Sequence, residues 1–471
     1  MSEWRNYKVK DICSKMGDAP FGANLKTKDY VSTGKVVIQG KNISGRTMKW
    51  NDLRFITQEK FDSLPKHQVT TSALVFPKVG TIGKVGIVTP YQNEKEFLLS
   101  TNSMMIEPDS EKAHSDFVYY YFSWTKTRKK IELESTSSVQ PVFNFTALKN
   151  FPINLPPLPE QKAIAKILGD LDDKIELNRK MNQTLEEMAQ ALFKSWFEDF
   201  DPVIDNAFAA GPDSYRENIP EELQILAKKR SLVAEGKKLL HTNSELAQLF
   251  PDSFLFNEVL GKWIPEGWEV KKIEDAATIV GGGTPSTKIQ EYYCENGIPW
   301  MSPKDLSGYN WKYIGKGASD ITELGLQKSS AKLMPKGSVL FSSRAPIGYI
   351  AIAENEVCTN QGFKSLVPNK GVPTEYLFQF LKANANEIEA VATGSTFKEV
   401  SGSALKGISI LIPAKNIIEE FTMKLEASNK RSLIIQKQTE TLVKLRDTLL
   451  PQLISGKLKV PEAMLKVEKM S

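Results

Sequence analysis

Two stretches of this chain repeat one another in the same order, at an offset that drifts from about 264 residues to about 257. A duplication of this kind obliges one supersecondary plan to be built twice. Trp4 ahead of Tyr7-Lys8-Val9-Lys10 matches Trp268 ahead of Val270-Lys271-Lys272-Ile273. Gly34 to Gly45 (GKVVIQGKNISG) matches Gly297 to Gly308 (GIPWMSPKDLSG), with Lys41/Lys304 and Ser44/Ser307 in register. Phe76 to Ile87 then matches Phe341 to Ile352, Thr101-Asn102 matches Thr359-Asn360, Ala147-Leu148-Lys149 matches Ala404-Leu405-Lys406, and Pro156 matches Pro413. At 471 residues the chain has room for about three globular units.

Each copy has two parts. The first, of about 150 residues, holds short β-branched and aromatic runs cut by Gly and Pro, such as Val36-Val37-Ile38, Ala73-Leu74-Val75-Phe76 and Ser338-Val339-Leu340-Phe341, and predicts a mainly β domain with a few helices. The second begins after a proline stop, at Leu155-Pro156-Pro157-Leu158-Pro159 or Ile412-Pro413, and has only Gly169 and Pro451 as interior breakers. It predicts a long helix. Ile164, Leu168, Leu171, Ile175, Asn178, Asn182, Leu185, Ala189, Leu192 and Trp196 step by alternating four and three residues, which is a coiled-coil seam. The matching positions of the second helix are Phe421, Leu425, Ser428, Ser432, Ile435, Thr439, Leu442, Arg446, Leu449 and Leu453, a more polar seam. The natural partner of each helix is the other.

The expected fold class is therefore α+β: two mainly β domains, each followed by a long helix, the two helices pairing as an antiparallel coiled coil with pseudo-two-fold symmetry. A rod from residue 164 to 197 would span about 50 Å and hold the β-rich domains at its opposite ends. Parallel pairing, with the domains side by side, is the alternative. The boundaries expected are 1–157 for the first domain, 158–200 for the first helix, 201–262 for a connector, 263–413 for the second domain, 414–457 for the second helix and 458–471 for a tail. The connector has no downstream copy; it contains Gly211-Pro212, Pro220 and a helical run from Glu221 to Leu240.

Composition excludes more than it assigns. With 41% hydrophobic and 25% charged residues, neither a disordered nor a membrane protein fits, and no window offers the roughly 18 apolar residues of a spanning helix. Glu3, Arg5, Lys8, Lys10 and Asp11 leave no room for a signal-peptide core, so a cytoplasmic location is expected. Cys13, Cys294 and Cys358, with His67, His114 and His241, are too few and scattered for disulfides or a metal centre. The net charge of +5 gathers in residues 1–157, where 22 basic residues face 15 acidic ones, whereas residues 263–413 hold 15 of each. The first block suits a polyanion; a solvated lysine-rich face is the plainer reading.

The usual catalytic motifs are missing. Gly80-Thr81-Ile82-Gly83-Lys84 lacks the spacing and Ser/Thr of a phosphate-binding loop, and Gly281-Gly282-Gly283-Thr284-Pro285 precedes no clear strand-turn-helix unit. No Asn/Asp-Pro-Pro-aromatic motif of a base methyltransferase occurs, and Asp252, Glu258 and Lys262 have the wrong spacing for a metal-dependent nuclease. No catalytic residue and no metal ligand is assigned. What remains is binding, and two related domains on a rod suit two separate sites along an extended ligand such as duplex DNA.

At this point the chain resembles the specificity subunit of type I restriction-modification systems, over nearly its whole length. The resemblance is carried by the duplication, by Leu155-Pro156-Pro157-Leu158-Pro159-Glu160-Gln161-Lys162 leading into Ile164 to Leu168, by Lys194-Ser195-Trp196-Phe197 with Asp199-Phe200-Asp201-Pro202, by Ile264-Pro265-Glu266-Gly267-Trp268, and by Leu449-Leu450-Pro451-Gln452-Leu453-Ile454-Ser455-Gly456-Lys457-Leu458. It implies that the two β-rich parts are target-recognition domains reading a bipartite, asymmetric duplex target, with an unread gap set by the helices. It further implies no catalysis in this chain, two methyltransferase (modification) subunits and ATP-driven restriction/translocase subunits as partners, and S-adenosylmethionine, ATP and Mg²⁺ on those partners. A DNA-free assembly scaffold and a DNA-modifying enzyme in its own right are the alternatives.

Loop cations are the candidates for DNA contact: Lys26, Lys28, Lys41, Arg46, Lys78 and Lys84 in the first domain, and Lys288, Lys304, Arg344, Lys364 and Lys398 in the second. Arg344, the arginine of residues 263–413, is the first choice for a base contact, because a guanidinium can pair bidentately with guanine; a salt bridge to a neighbouring strand is the alternative. Asn102 and Asn360 could read adenine, although turn capping is the commoner use. Phe193, Trp196, Phe197 and Phe200 could dock a methyltransferase subunit or pack beneath the next domain.

Overall fold

A computed structural model of the chain describes residues 3–20, 22, 24–134, 142–209, 218–234, 244–394 and 398–468. The chain forms two compact units, Met1–Leu177 with Thr439–Ser471, and Asn178–Gln438.

In the first unit, strand Arg5–Lys8 pairs antiparallel with Pro152–Leu155 (Tyr7 opposite Ile153), so the domain begins and ends at one place. Between them lie a four-stranded sheet, in the order Cys13–Gly17, Ser103–Pro108, Leu74–Pro77 and Gly86–Ile87, and a five-stranded sheet, Tyr30–Val31, Arg54–Ile56, Lys35–Ile38, Glu96–Leu99 and Gln68–Thr70. Alternation decides which face each side chain takes. Leu74, Phe76, Met104 and Ile106 point under helix Ser115–Ser123, whereas Val75 and Met105 join Val36, Ile38 and Leu99 in the core between the sheets. Because both faces are covered, these strands read as nearly continuous apolar runs.

The second unit repeats this plan. Glu269–Lys272 pairs with Ser409–Ile412. The parallel pairing of Val37 with Leu98 recurs as Trp300 with Cys358. Short helices start on the same device in both: Thr57 accepts from the Lys60 N–H and Thr322 from the Gly325 N–H, while Asn144 accepts from the Ala147 N–H and Ser401 from the Ala404 N–H.

The long helices are Leu158–Phe197 and Lys415–Ile454, of 40 residues each. In the first unit Ile164, Leu168 and Leu171 are buried in one cluster with Leu445, Leu449 and Leu453. In the second, Phe193 meets Phe421 with ring centroids 6.0 Å apart, and the Ser432 hydroxyl donates to Asn182. In the second unit, therefore, ascending positions of one helix meet descending positions of the other, which is antiparallel pairing. The expected seam positions Ile164, Leu168, Leu171, Ile175, Phe421, Leu425, Ile435 and Leu449 are buried, and Leu185, Leu192 and Leu442 are half-buried. Gly169 has a packing reason: a Cβ there would lie 3.2 Å from Arg46 Nη2.

Three details differ from the sequence reading. The first helix stops at Phe197, and Phe200 adopts a left-handed backbone (φ 55°) before a separate helix, Asp201–Ala209. In the connector, helix Gln224–Ala234 falls within the expected helical run, but the hairpin Phe254–Asn257/Lys262–Pro265 was not expected, and its second strand runs across the expected domain start at residue 263. Gly211-Pro212 and residues 235–240 of the predicted helical run lie outside the described residues. The expected tail carries helix Val460–Glu468, with Ala463 fully buried.

Candidate nucleic-acid interface

The turns around Lys41 and Lys304 are the best-matched pair of candidate contacts. Lys41 lies in the 3-10 turn Gly40–Asn42 and Lys304 in Pro303–Leu306. Both turns are held from within: Asn42 Oδ1 accepts the Gln39 N–H at 3.0 Å, and Asp305 Oδ2 accepts the Ser302 N–H at 2.7 Å. Asn42 also donates to the carbonyls of Lys49 and Asn51 (2.9 and 3.2 Å), and Asp305 accepts from Ala318 (2.8 Å). The side chain that fixes the turn points inward, and the lysine beside it is exposed in both copies.

The other candidates divide by what already holds them. Lys26, Lys28, Lys84, Lys288 and Lys398 are exposed. Asp29, which accepts the Lys26 N–H at 2.7 Å, titrates below the ordinary carboxylate range chiefly because of that bond. Lys84 closes a turn containing Gly80 and Gly83, both with left-handed backbone (φ 80° and 83°) that glycine adopts without cost. Lys78 is half-buried and bonded to Asp18 at 2.9 Å. Arg46 donates to Asp116 at 2.8 Å and to Asp173 of the first long helix, so it is occupied within the protein. Arg344 Nη1 lies 3.3 Å from Glu399 Oε2, and Lys364 Nζ lies 3.1 Å from Glu399 Oε1, so one carboxylate gathers both cations next to Lys398. Arg344 is thus held by the alternative partner, an acid facing it across an isolated β-bridge, in place of standing free for a base.

Asn360 caps a turn, accepting the Gly362 N–H at 2.8 Å, while the Asn102 carbonyl accepts the Lys78 N–H and its side chain is exposed. Phe193, Trp196, Phe197 and Phe200 are all buried, packed among Tyr376, Phe421, Phe250 and Trp268. That is packing beneath the second domain.

One cationic patch escaped the sequence reading. Helix Thr125–Glu134 exposes Lys126, Arg128, Lys129 and Lys130. It abuts the Lys84 turn, since a Cβ on Gly83 would lie 3.6 Å from Arg128 Cβ. The signal is four cations in five residues, but these lie on a helix and not in the loops where DNA-facing cations are expected. Lys126 and Lys130 also lie over the rings of Trp124 and Phe151, at 5.5 and 5.3 Å.

Burial pushes the Cys13 thiol up to about 12 and the Cys358 thiol up to about 11, so neither supplies a thiolate near neutrality. Among the described residues, no group of three or more His, Cys, Asp or Glu is arranged to hold a metal ion, and no helix is long and apolar enough to cross a membrane.

Two copies of an α+β domain, each with an exposed lysine on an equivalent turn and each continuing into a 40-residue helix, define a duplicated two-domain protein. Comparison with known families gives that class its identity. The family model described as "Type I restriction modification DNA specificity domain" matches residues 1–187 and 265–445. The HindI specificity subunit of Haemophilus influenzae is 30% identical over 77% of this chain and 81% of its own length. The MjaIX specificity subunit of Methanocaldococcus jannaschii is 42% identical over 38% of this chain and 43% of its own length. A crystal structure of a type I restriction-modification S subunit from M. genitalium superposes with a TM-score of 0.52, covering 96% of each chain at 13% identity. The chain belongs to the type I restriction-modification specificity subunits, and its role is recognition of DNA sequence.

Proposed function

We propose that the chain reads a bipartite, asymmetric duplex target, residues 1–157 reading one half-site and residues 263–413 the other, with an unread gap between them. Exposed lysines hold phosphates, which fix register without reading sequence, and base edges are read by the loops around them. Lys41, Lys84 and the Lys126–Lys130 run serve the first half-site; Lys288, Lys304 and the Arg344, Lys364 and Lys398 group serve the second. The observation that supports this reading most is the repeat-equivalent placement of Lys41 and Lys304 on rigid turns. The two long helices, each about 60 Å at 1.5 Å per residue, act as the spacer.

In the same reading, this subunit makes and breaks no bonds itself. It positions two methyltransferase subunits and restriction/translocase subunits on the target, and these partners bring S-adenosylmethionine, ATP and Mg²⁺. Mapping methylated bases across the genome with and without this gene tests the proposal. A two-part motif with a constant gap, present only with the gene, is the expected result; a single contiguous motif rules out division of labour between the domains. Purified chain with no salt-dependent affinity for DNA, even beside its methyltransferase, would favour a scaffold.

A further inference from the structure

In the second unit one buried cation joins three elements. Lys312, 5% exposed, precedes strand Tyr313–Ile314. Its ammonium group donates to Glu375 Oε1 at 2.6 Å, in the first turn of helix Thr374–Ala383, and to Asn429 Oδ1 at 2.8 Å on the second long helix. It also lies 3.5 Å from Glu186 Oε2 on the first long helix. The network closes on itself: Asn429 Nδ2 donates to Glu375 Oε2 (2.9 Å), and Gln379 Nε2 donates to both Glu375 and Glu186 (3.0 and 3.2 Å). Gln436 of the second long helix donates to the Tyr309 hydroxyl and the Tyr313 carbonyl, on either side of Lys312 (3.0 and 2.8 Å). Burial alone would raise the Glu186 carboxyl, but Lys312 and Lys382 more than reverse this and leave it below its ordinary range.

The first unit holds the matching positions with different chemistry. Asp116 stands for Glu375, Tyr120 for Gln379 and Asp172 for Asn429, and the cations are Arg46 and Arg446, each about a quarter exposed. In the first copy the domain is tied to the first long helix by Arg46, held by Asp116, and by Tyr120, and Asp172 passes the link on to Arg446 of the second; in the second copy Glu375 bonds the second long helix directly through Asn429. In the second the fastening is nearly dry.

A buried ion network adds little net stability over apolar packing of the same volume, but its bonds are directional, whereas apolar surfaces slide. We propose that Lys312 is a positioning residue, holding the second recognition domain at one angle on the two long helices and so restricting the gap between half-sites to one length. The inference rests on the bipartite reading. Any tilt about the network is enlarged at a surface further from it, and a displacement of one base-pair step is only about 3.4 Å.

The test is methylation mapping with the assembled complex carrying Lys312→Met, Glu186→Gln and Glu375→Gln together, which removes the charges in concert. The half-site sequences should be unchanged, and the gap should spread, with at least about one methylated site in ten displaced by one base pair. A purely structural role would lower methylation at all sites with the gap unaltered, and that result overturns the proposal. If the triple variant fails to assemble, Asn429→Ala, which keeps every charge, decides in its place: a smaller spread supports the proposal and an unaltered gap refutes it. A parent complex whose target is not bipartite removes the functional reading itself; a bipartite parent with an unspread variant removes only the role of Lys312.

Discussion

Arg446 of the second long helix donates to Asp172 of the first at 2.8 Å, and the Tyr120 hydroxyl donates to the other oxygen of the same carboxylate at 2.8 Å. A position that looked like a flaw in an apolar seam is a cross-link between two helices and a domain. Arg446→Ala leaves Asp172 partly desolvated with one donor instead of two, and should cost about 1–2 kcal/mol. Asp172→Asn combined with Arg446→Ala should recover part of that loss. Denaturant midpoints of the two singles and the double give the coupling, and strict additivity would show that the pair contributes nothing.

Lys41 and Arg46 sit five residues apart and should behave oppositely. Lys41→Ala should weaken binding to all sequences alike and reduce the salt slope of log Kd by about one, with no change in melting temperature. Arg46→Ala should lower the melting temperature, because Asp116 and Asp173 lose their shared partner. Lys304→Ala should repeat the Lys41 result in the second domain. DNA titrations across a salt series, with thermal unfolding in parallel, separate the two classes.

Arg344 and Glu399 form the most specific pair in the second domain. If Arg344 reads guanine, Arg344→Ala should cost about 1–3 kcal/mol and relax the preference at one base position. Glu399→Gln, which frees Arg344 and Lys364, should raise affinity for unrelated DNA and so narrow the ratio of specific to non-specific binding. An unchanged motif in both variants removes Arg344 from base reading.

Acid should loosen the second unit through Glu186. A carboxyl whose folded value lies below its unfolded one contributes stability that is complete above the unfolded value, here 4.5, and lost as pH falls through the folded value. Stability should therefore fall below about pH 4.5, and Glu186→Gln should flatten that part of the profile. Equal slopes for the variant and the parent would show that other carboxylates carry the acid sensitivity.

Inserting one heptad in each long helix, after Gln183 and after Glu440, keeps the seam in phase and adds about 10 Å. At roughly 3.4 Å per base pair the preferred gap should lengthen by up to about 3 base pairs with the half-sites intact. Because DNA also rotates along its length, twisting strain should hold the shift to one or two. Methylation mapping of an active variant that keeps the original gap would show that the helices do not set it.

The parts of this fold that were legible in the sequence are those set by periodicity. The three-four spacing from Ile164 to Trp196 and its copy from Phe421 to Leu453 name residues that are buried or half-buried throughout, including the polar Asn182 and Ser432, which bond to each other. Residue type alone could not show which charges face water. Arg46 looked like Lys41, because its partners Asp116 and Asp173 lie 70 and 127 residues further along. Lys312 drew no notice among the lysines of its domain for the same reason. Gly169 became intelligible only once Arg46 was seen lying against it.

The pairing of Arg5–Lys8 with Pro152–Leu155, and of Glu269–Lys272 with Ser409–Ile412, places the first and last strands of each domain side by side. A segment whose ends are hydrogen-bonded neighbours behaves as a cassette: another of different length and loops can replace it without displacing the chain outside. An exchange of everything between these strands would replace a whole domain and leave the helix that follows unchanged.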